Sequence, residues 1–263
     1  MKTAVELYRL LPKTNCGTCG LPSCFGFAAK LATGQASPDD CAFLTEADRE
    51  ALRKADIGQR DSPGTVYEQA LASLQPKVRT LDFEKVASQF GVVLLDPDKI
   101  EIKFLNENYM ITKERITDPA GTEPKPWISI LIYNHLCMPD PPPPSGEWIT
   151  FGSIPASHAK DKAWAGHVEE VIAKNFSGNV DALKDACGRL GGIKADMPGN
   201  QDAAYAFRFF PHYPALLLFS DAVPDEDFPA QCRLLLDKTA PRYLDIESIV
   251  VLGEEFATRL TAA

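Results

Sequence analysis

No stretch of the 263-residue chain runs for the roughly 18 apolar residues that a membrane-spanning helix needs, so no bilayer insertion is expected. No block of Lys and Arg appears either. The chain holds 27 Lys/Arg against 36 Asp/Glu, a net charge of −9, which argues against nucleic acid and against anionic membrane surfaces. The deficit is uneven. Residues 1–62 hold eight Lys/Arg and eight Asp/Glu, so the remainder carries all of it. Gly-rich phosphate loops, a GxSxG elbow and internal repeats are all missing, which argues against nucleotide enzymes and α/β-hydrolases. No triad or paired carboxylate stands out, so no catalytic residue is assigned. The segment Met1–Leu11 is interrupted by Glu6 and Arg9, and no small-residue cleavage site follows. It does not read as a signal peptide, and a cytoplasmic protein is expected.

What the chain does have is cysteine, unevenly placed. Four of its seven cysteines fall in the first 41 residues, at Cys16, Cys19, Cys24 and Cys41. In a reducing compartment this reads as metal binding rather than as disulfides. Three thiolates on one glycine-bearing loop and a fourth from a distance suit an iron–sulfur cubane, which takes one thiolate at each iron corner. Gly17 and Gly20 allow tight turns there and leave amide N–H groups for the inorganic sulfides. Pro22 is well placed for the first turn of a helix carrying Phe25, Phe27, Ala28 and Leu31 to about Gly34. Cys24 then sits at the positive end of the helix dipole. Ser37–Asp40 supplies the turn that returns Cys41. Zinc uses the same ligands, usually as two separated pairs, and a [2Fe–2S] cluster also takes four cysteines. A CxxC disulfide centre would need only two.

The stretch from Pro12 to Cys24, followed by Phe27-Ala28-Ala29-Lys30-Leu31, Gly34-Gln35-Ala36 and Cys41, resembles the N-terminal [4Fe–4S] domain of the corrinoid iron–sulfur protein large subunit. A related domain occurs in a subunit of a membrane-associated electron-transport complex. The resemblance covers about residues 5–45. It implies a [4Fe–4S] cluster on Cys16, Cys19, Cys24 and Cys41 that passes single low-potential electrons, notably to reactivate an oxidised cobalt centre. The rest of the chain is unlike the barrel and corrinoid-binding body of that subunit and lacks the anchor of the other relative. It resembles a family, mostly from anaerobes, in which this cluster module precedes a domain of unassigned function.

Beyond the cysteines, Thr3–Glu6 predicts a capping box opening a helix with Val5, Tyr8 and Leu11 on one side. A short polar helix is expected at 45–55, and Asp56–Gly64 reads as a boundary. This gives two domains, a helical cluster module at 1–62 and a larger α+β domain at 63–263. Within the second, 82–90 reads as a helix, with strands at 91–95, 100–104 and 109–113. Trp127–Met138 is read as a buried helix on length. Strands are expected at 148–151, 205–210 and 215–219, and helices at 158–176, 180–190, 228–238 and 246–260.

Histidine is scarce in this domain, and each one has a plain packing role to weigh. His158 and His167 lie nine residues apart on one expected helix, facing opposite ways, so they share no metal. His167 reads as a partly buried core residue. His135 and Cys137 are weak candidates for a haem or cobalt ligand, with packing as the default, and Cys187 and Cys232 read as small core residues. Phe207–Pro214 either lines a flat cofactor's pocket or forms a core strand. Pro139–Pro144 must be an extended, polyproline-like connection. The leading expectation is an electron-transfer protein with a redox protein partner. The alternative is a second domain that binds a corrinoid or haem fed by the cluster.

Overall fold

The computed structural model describes residues 3–21, 23–32, 34–55 and 63–263. Pro22 and most of the expected boundary, Asp56–Ser62, lie outside the described residues. The chain divides into two compact units, Met1–Glu68 and Gln69–Ala263.

The first unit is helical. Thr3 and Glu6 form the expected reciprocal capping box at the start of α1 (Ala4–Tyr8). The buried side of that segment is Leu7 and Leu11, whereas Val5 points out at 52% exposure. α2 (Cys24–Ala32) turns Phe27, Ala28 and Leu31 inward against them, and Gly34 follows at φ 68°, a conformation that stops a helix. A short 3₁₀ turn, Pro38–Asp40, is boxed by Ser37, whose N–H donates to the Asp40 carboxylate at 2.7 Å. α3 (Glu46–Lys54) starts on a Thr45–Asp48 box and buries Leu52. Leu7, Leu11, Phe27, Leu31, Leu44 and Leu52 form one small core that also takes in Cys24 and Cys41.

The division between the units falls within α4 (Pro63–Thr80). In the second unit α5 (Phe83–Phe90) is capped by Asp82 and stopped by Gly91 at φ 67°. A four-stranded antiparallel meander follows, made of β1 (Val93–Asp96), β2 (Lys99–Phe104), β3 (Glu107–Thr112) and β4 (Ile116–Thr117). The alternation of β2 puts Ile100, Ile102 and Phe104 inside, opposite Ile111, Tyr109 and Glu107. The 127–138 run is indeed helical, as α6 (Pro126–Leu136).

A second antiparallel sheet has the order β5-β9-β8-β7-β6. Its strands are β5 (Trp148–Ile149), β6 (Ile193–Lys194), β7 (Ala203–Phe210), β8 (Tyr213–Ser220) and β9 (Gln231–Asp237), packed with α7 (Asp161–Trp164), α8 (Glu170–Phe176), α9 (Val180–Arg189) and α10 (Ile246–Ala262). One core spans both sheets: Phe104 and Phe210 lie 5.1 Å apart, and Leu105 N–H donates to the Phe209 carbonyl at 2.8 Å. The class is α+β, as expected.

Two expectations need correction. The segment 228–238 is not a helix. Its Gln-Cys-Arg-Leu-Leu-Leu-Asp core is strand β9, flanked by β8 and β5, because a short apolar run satisfies either period and sheet pairing decides. The expected helix 158–176 is broken. A 3₁₀ turn (Ser157–Ala159) precedes α7, and a π-helical turn (Ala165–Glu169) separates α7 from α8.

Candidate metal centre

Cys16, Cys19, Cys24 and Cys41 all line one small cavity, with Leu11, Pro12, Leu21 and Phe27 as its apolar walls. Cys24 and Cys41 are buried, Cys19 is half-buried and Cys16 is exposed, so the cavity opens on the Cys16 side.

Local chemistry holds each part in place. Gly17 and Gly20 adopt φ +74° and +76°, and a Cβ on either would meet no atom within 4 Å. They are required by backbone conformation rather than by crowding. The Gly20 N–H closes the turn onto the Gly17 carbonyl at 2.9 Å, so that amide is not free for a sulfide as expected from the sequence. The amides that do face sulfur lie elsewhere. Asn15, itself at φ 49°, donates its N–H to Cys24 Sγ at 3.3 Å, while its side-chain oxygen accepts the Cys24 N–H at 2.8 Å. Asn15 thus satisfies the first amide of α2 from a distance and aims a donor at the thiolate. The Cys16 thiol is held below its ordinary range by the Thr18 hydroxyl at 2.8 Å, then by the Thr18 amide and Thr14. Cys41 follows the capped 3₁₀ turn, and the Arg49 guanidinium donates to its carbonyl at 3.1 Å. Arg53 braces the same corner by pairing with Asp39 and Glu46 at 2.6 and 3.0 Å.

Among the described residues, no three His, Cys, Asp or Glu side chains gather tightly enough to hold a single metal ion. Four thiols lining one cavity supply the donor set of a cubane, in which each thiolate binds its own iron. The donor set therefore suits an iron–sulfur group.

The second unit brings His135 against the Phe207–Pro214 aromatics, but among the described residues it gathers no group of ligands that could hold a metal ion. His135 lies in α6, fully buried, stacked between Phe210 at 4.0 Å and Tyr243 at 5.4 Å, and edge-on to Phe90 at 5.0 Å. Neither ring nitrogen has a partner, and desolvation, with His212 nearby, pushes its pKa down to about 3. Cys137, the C-cap of that helix, is half-buried. His158 is exposed on its 3₁₀ turn. His167 is a correction: it is exposed rather than in the core, and its Nδ1 meets Glu254 at 2.8 Å. The π turn adds a residue to that helical turn and rotates it outward. His212 lends its Nδ1–H to the Gln89 carbonyl at 3.0 Å, at the C-terminal end of α5. Cys187 and Cys232 are buried, as expected. The Phe207–Pro214 aromatics form the β7–β8 hairpin, with Phe207, Phe209, Phe210 and Tyr213 in the core. The polyproline connection is tied down by Tyr243, which donates to the Pro142 carbonyl at 2.5 Å. Below it, buried Asp237 accepts hydrogen bonds from Ser145, Gly146 and Thr239.

Sequence reasoning missed Asn15 and Thr18, although both lie inside the recognised stretch. Asn both adopts positive φ and caps helices, but nothing local marks Asn15 as the cap of a helix that starts nine residues later.

Residues 11–43 match the family described as "Putative Fe-S cluster". Around that stretch the chain is 53% identical over 53 residues to the corrinoid/iron-sulfur protein large subunit of Moorella thermoacetica, covering 20% of this chain and 12% of that protein. It is 50% identical over 50 residues to the acetyl-CoA decarbonylase/synthase complex subunit gamma of Methanothermobacter thermautotrophicus (19% of this chain, 11% of that protein). The subunit gamma of Methanocaldococcus jannaschii matches at 29% over 118 residues, covering 45% of this chain and 23% of that protein. The chain thus spans less than a quarter of the length of these relatives. No solved structure matches it. The fold and these matches define a protein with an iron–sulfur cluster domain at its N-terminal end. The chain itself belongs to the family described as "Domain of unknown function (DUF3786)", which covers residues 82–259.

Proposed function

We propose that this is an iron–sulfur electron-transfer protein of anaerobic metabolism, with a [4Fe–4S] cluster on Cys16, Cys19, Cys24 and Cys41. Residues 1–62 would form the cluster module, and 63–263 would recognise the redox partner or cofactor that receives the electrons. The observation that carries this reading is the set of four thiols lining one cavity, within the stretch that matches an iron–sulfur cluster family. When bound, such a cluster supplies a one-electron couple at low potential. The chain's own residues do the rest. Cys24 and Cys41 bind from an apolar core, Asn15 and Thr18 direct hydrogen bonds at sulfur, and such contacts tune potential. The similarity to subunits named for corrinoid and acetyl-CoA chemistry supports a setting in anaerobic one-carbon metabolism. Among the described residues no helix is long and apolar enough to cross a membrane.

The reading is tested by coulometric titration of anaerobically purified protein. It expects uptake of about one electron per chain at low potential. No uptake by protein that contains iron and sulfide would sink it.

A further inference from the structure

We infer that the surface formed by Lys13, Tyr8 and Phe25, beside the cysteine loop, docks an acidic one-electron carrier protein. This rests on the electron-transfer reading above and concerns the carrier that delivers electrons to the cluster, whereas residues 63–263 would recognise what receives them.

The first observation is charge. Although the whole chain is at −9, residues 1–34 hold four Lys/Arg and one Asp/Glu, whereas residues 35–62 hold four and seven. The stretch with three of the four cysteines is therefore locally cationic. Its lone acid, Glu6, is engaged by the Thr3 amide and hydroxyl at 2.7 and 2.8 Å. The second observation is contiguity. Lys13 Nζ stands 5.7 Å from the centre of the Tyr8 ring, and Tyr8 meets Phe25 edge-on at 5.5 Å. Lys13 lies three residues before Cys16, the exposed cysteine, and Phe25 directly follows Cys24.

The third observation is exposure. Phe25 is 48% exposed on α2, while Phe27, two residues on, is 2% exposed. The helix core is already filled by Phe27, Ala28 and Leu31, so Phe25 adds nothing to it. Exposed Phe25 against half-buried Tyr8, with Lys13 over the Tyr8 ring, has the aromatic character of a docking interface. The cations, Lys13 with exposed Arg9 at the end of α1, select a partner of opposite charge. One electron crosses per encounter, and no bond forms or breaks.

The test measures binding, not turnover. Full-length protein, anaerobic and with its cluster confirmed by electron paramagnetic resonance, is titrated by surface plasmon resonance with two carriers. One is an acidic two-iron ferredoxin and the other a basic c-type cytochrome. The ferredoxin should bind more tightly, and its affinity should fall steeply as salt rises from 20 to 300 mM. Reversing both charges (R9E with K13E) should weaken it on the order of tenfold at low salt, and Phe25→Ser should weaken it at every salt concentration. Wild-type protein alone decides the charge question if a variant fails to keep its cluster. Tighter binding of the cytochrome, or ferredoxin binding indifferent to salt, overturns the inference while leaving the cluster reading intact. A sample with no reducible cluster overturns both.

Discussion

Replacing His135 with Phe should remove an acid sensitivity that is built into the second unit. The folded protein holds this imidazole neutral, with a pKa of about 3 against an ordinary 6.5, because it is fully desolvated and has His212 nearby. The unfolded chain protonates at the ordinary value. Acid therefore favours unfolding. This contribution to stability is complete above about pH 6.5 and drains away as pH falls from there toward 3, at about 1.4 kcal/mol per pH unit. At pH 5 the loss amounts to about 2 kcal/mol, a large part of the stability of a typical domain. In H135F that loss is absent. The variant also removes two buried nitrogens with no partner, each worth about 1–3 kcal/mol, although the extra ring volume between Phe210 and Tyr243 offsets part of the gain. The difference between two pH values cancels the packing term and isolates the titration. Urea unfolding at pH 7.5 and 5.0, followed by tryptophan fluorescence, reads the second unit alone, since Trp127, Trp148 and Trp164 all lie there. Equal losses in wild type and variant between those pH values would refute the reasoning.

Other consequences are as direct. Asp237→Asn should lower the melting temperature, at a cost of about 2 kcal/mol, because one of its two oxygens becomes a donor facing the amides of Ser145, Gly146 or Thr239. Burial pushes the Asp237 carboxyl up, but the Thr239, Ser145 and Gly146 donors outweigh it and hold the pKa below the ordinary 3.8. The stability it confers is thus present above that value and lost as pH falls below it, and acid melts should show the variant insensitive there. Asn15→Ala should cost about 1 kcal/mol through the lost cap on Cys24 and lower the iron retained per chain on desalting, while Asn15→Gly, which tolerates the positive φ, should retain more. Gly17→Ala should destabilise the cysteine loop by roughly 1–2 kcal/mol through backbone strain alone, visible as faster iron loss to a chelator; no change would mean that the loop relaxes out of its φ of +74°.

Much of the cysteine module was legible because its determinants are local. Capping residues, a glycine stop and the Ser37–Asp40 turn lie within a few residues of what they organise. The role of Asn15 was not, because it caps a helix starting nine residues later, and spacing alone does not reveal a cap at that distance. In the second unit β2 announced itself by strict alternation, whereas β9 did not. Leu234-Leu235-Leu236 satisfies either period, and only pairing with Leu217 and its neighbours on β8 makes it a strand. α4 was missed because its pattern is weak and Pro76 interrupts it. The π turn at Ala165–Glu169 moved His167 from the expected core to the surface and carried Glu169 inward to Arg233 and the Leu234 amide, at 2.9 and 3.1 Å. One inserted residue in a helix has no composition signature.

The four-cysteine assignment is tested most directly by iron and acid-labile sulfide analysis with electron paramagnetic resonance on anaerobic protein, wild type beside Cys24→Ala. The account predicts about four iron and four sulfide per wild-type chain, a half-spin signal on reduction, and loss of that full cluster in the variant. Stoichiometric zinc without sulfide, or an undiminished four-iron signal in the variant, would contradict it.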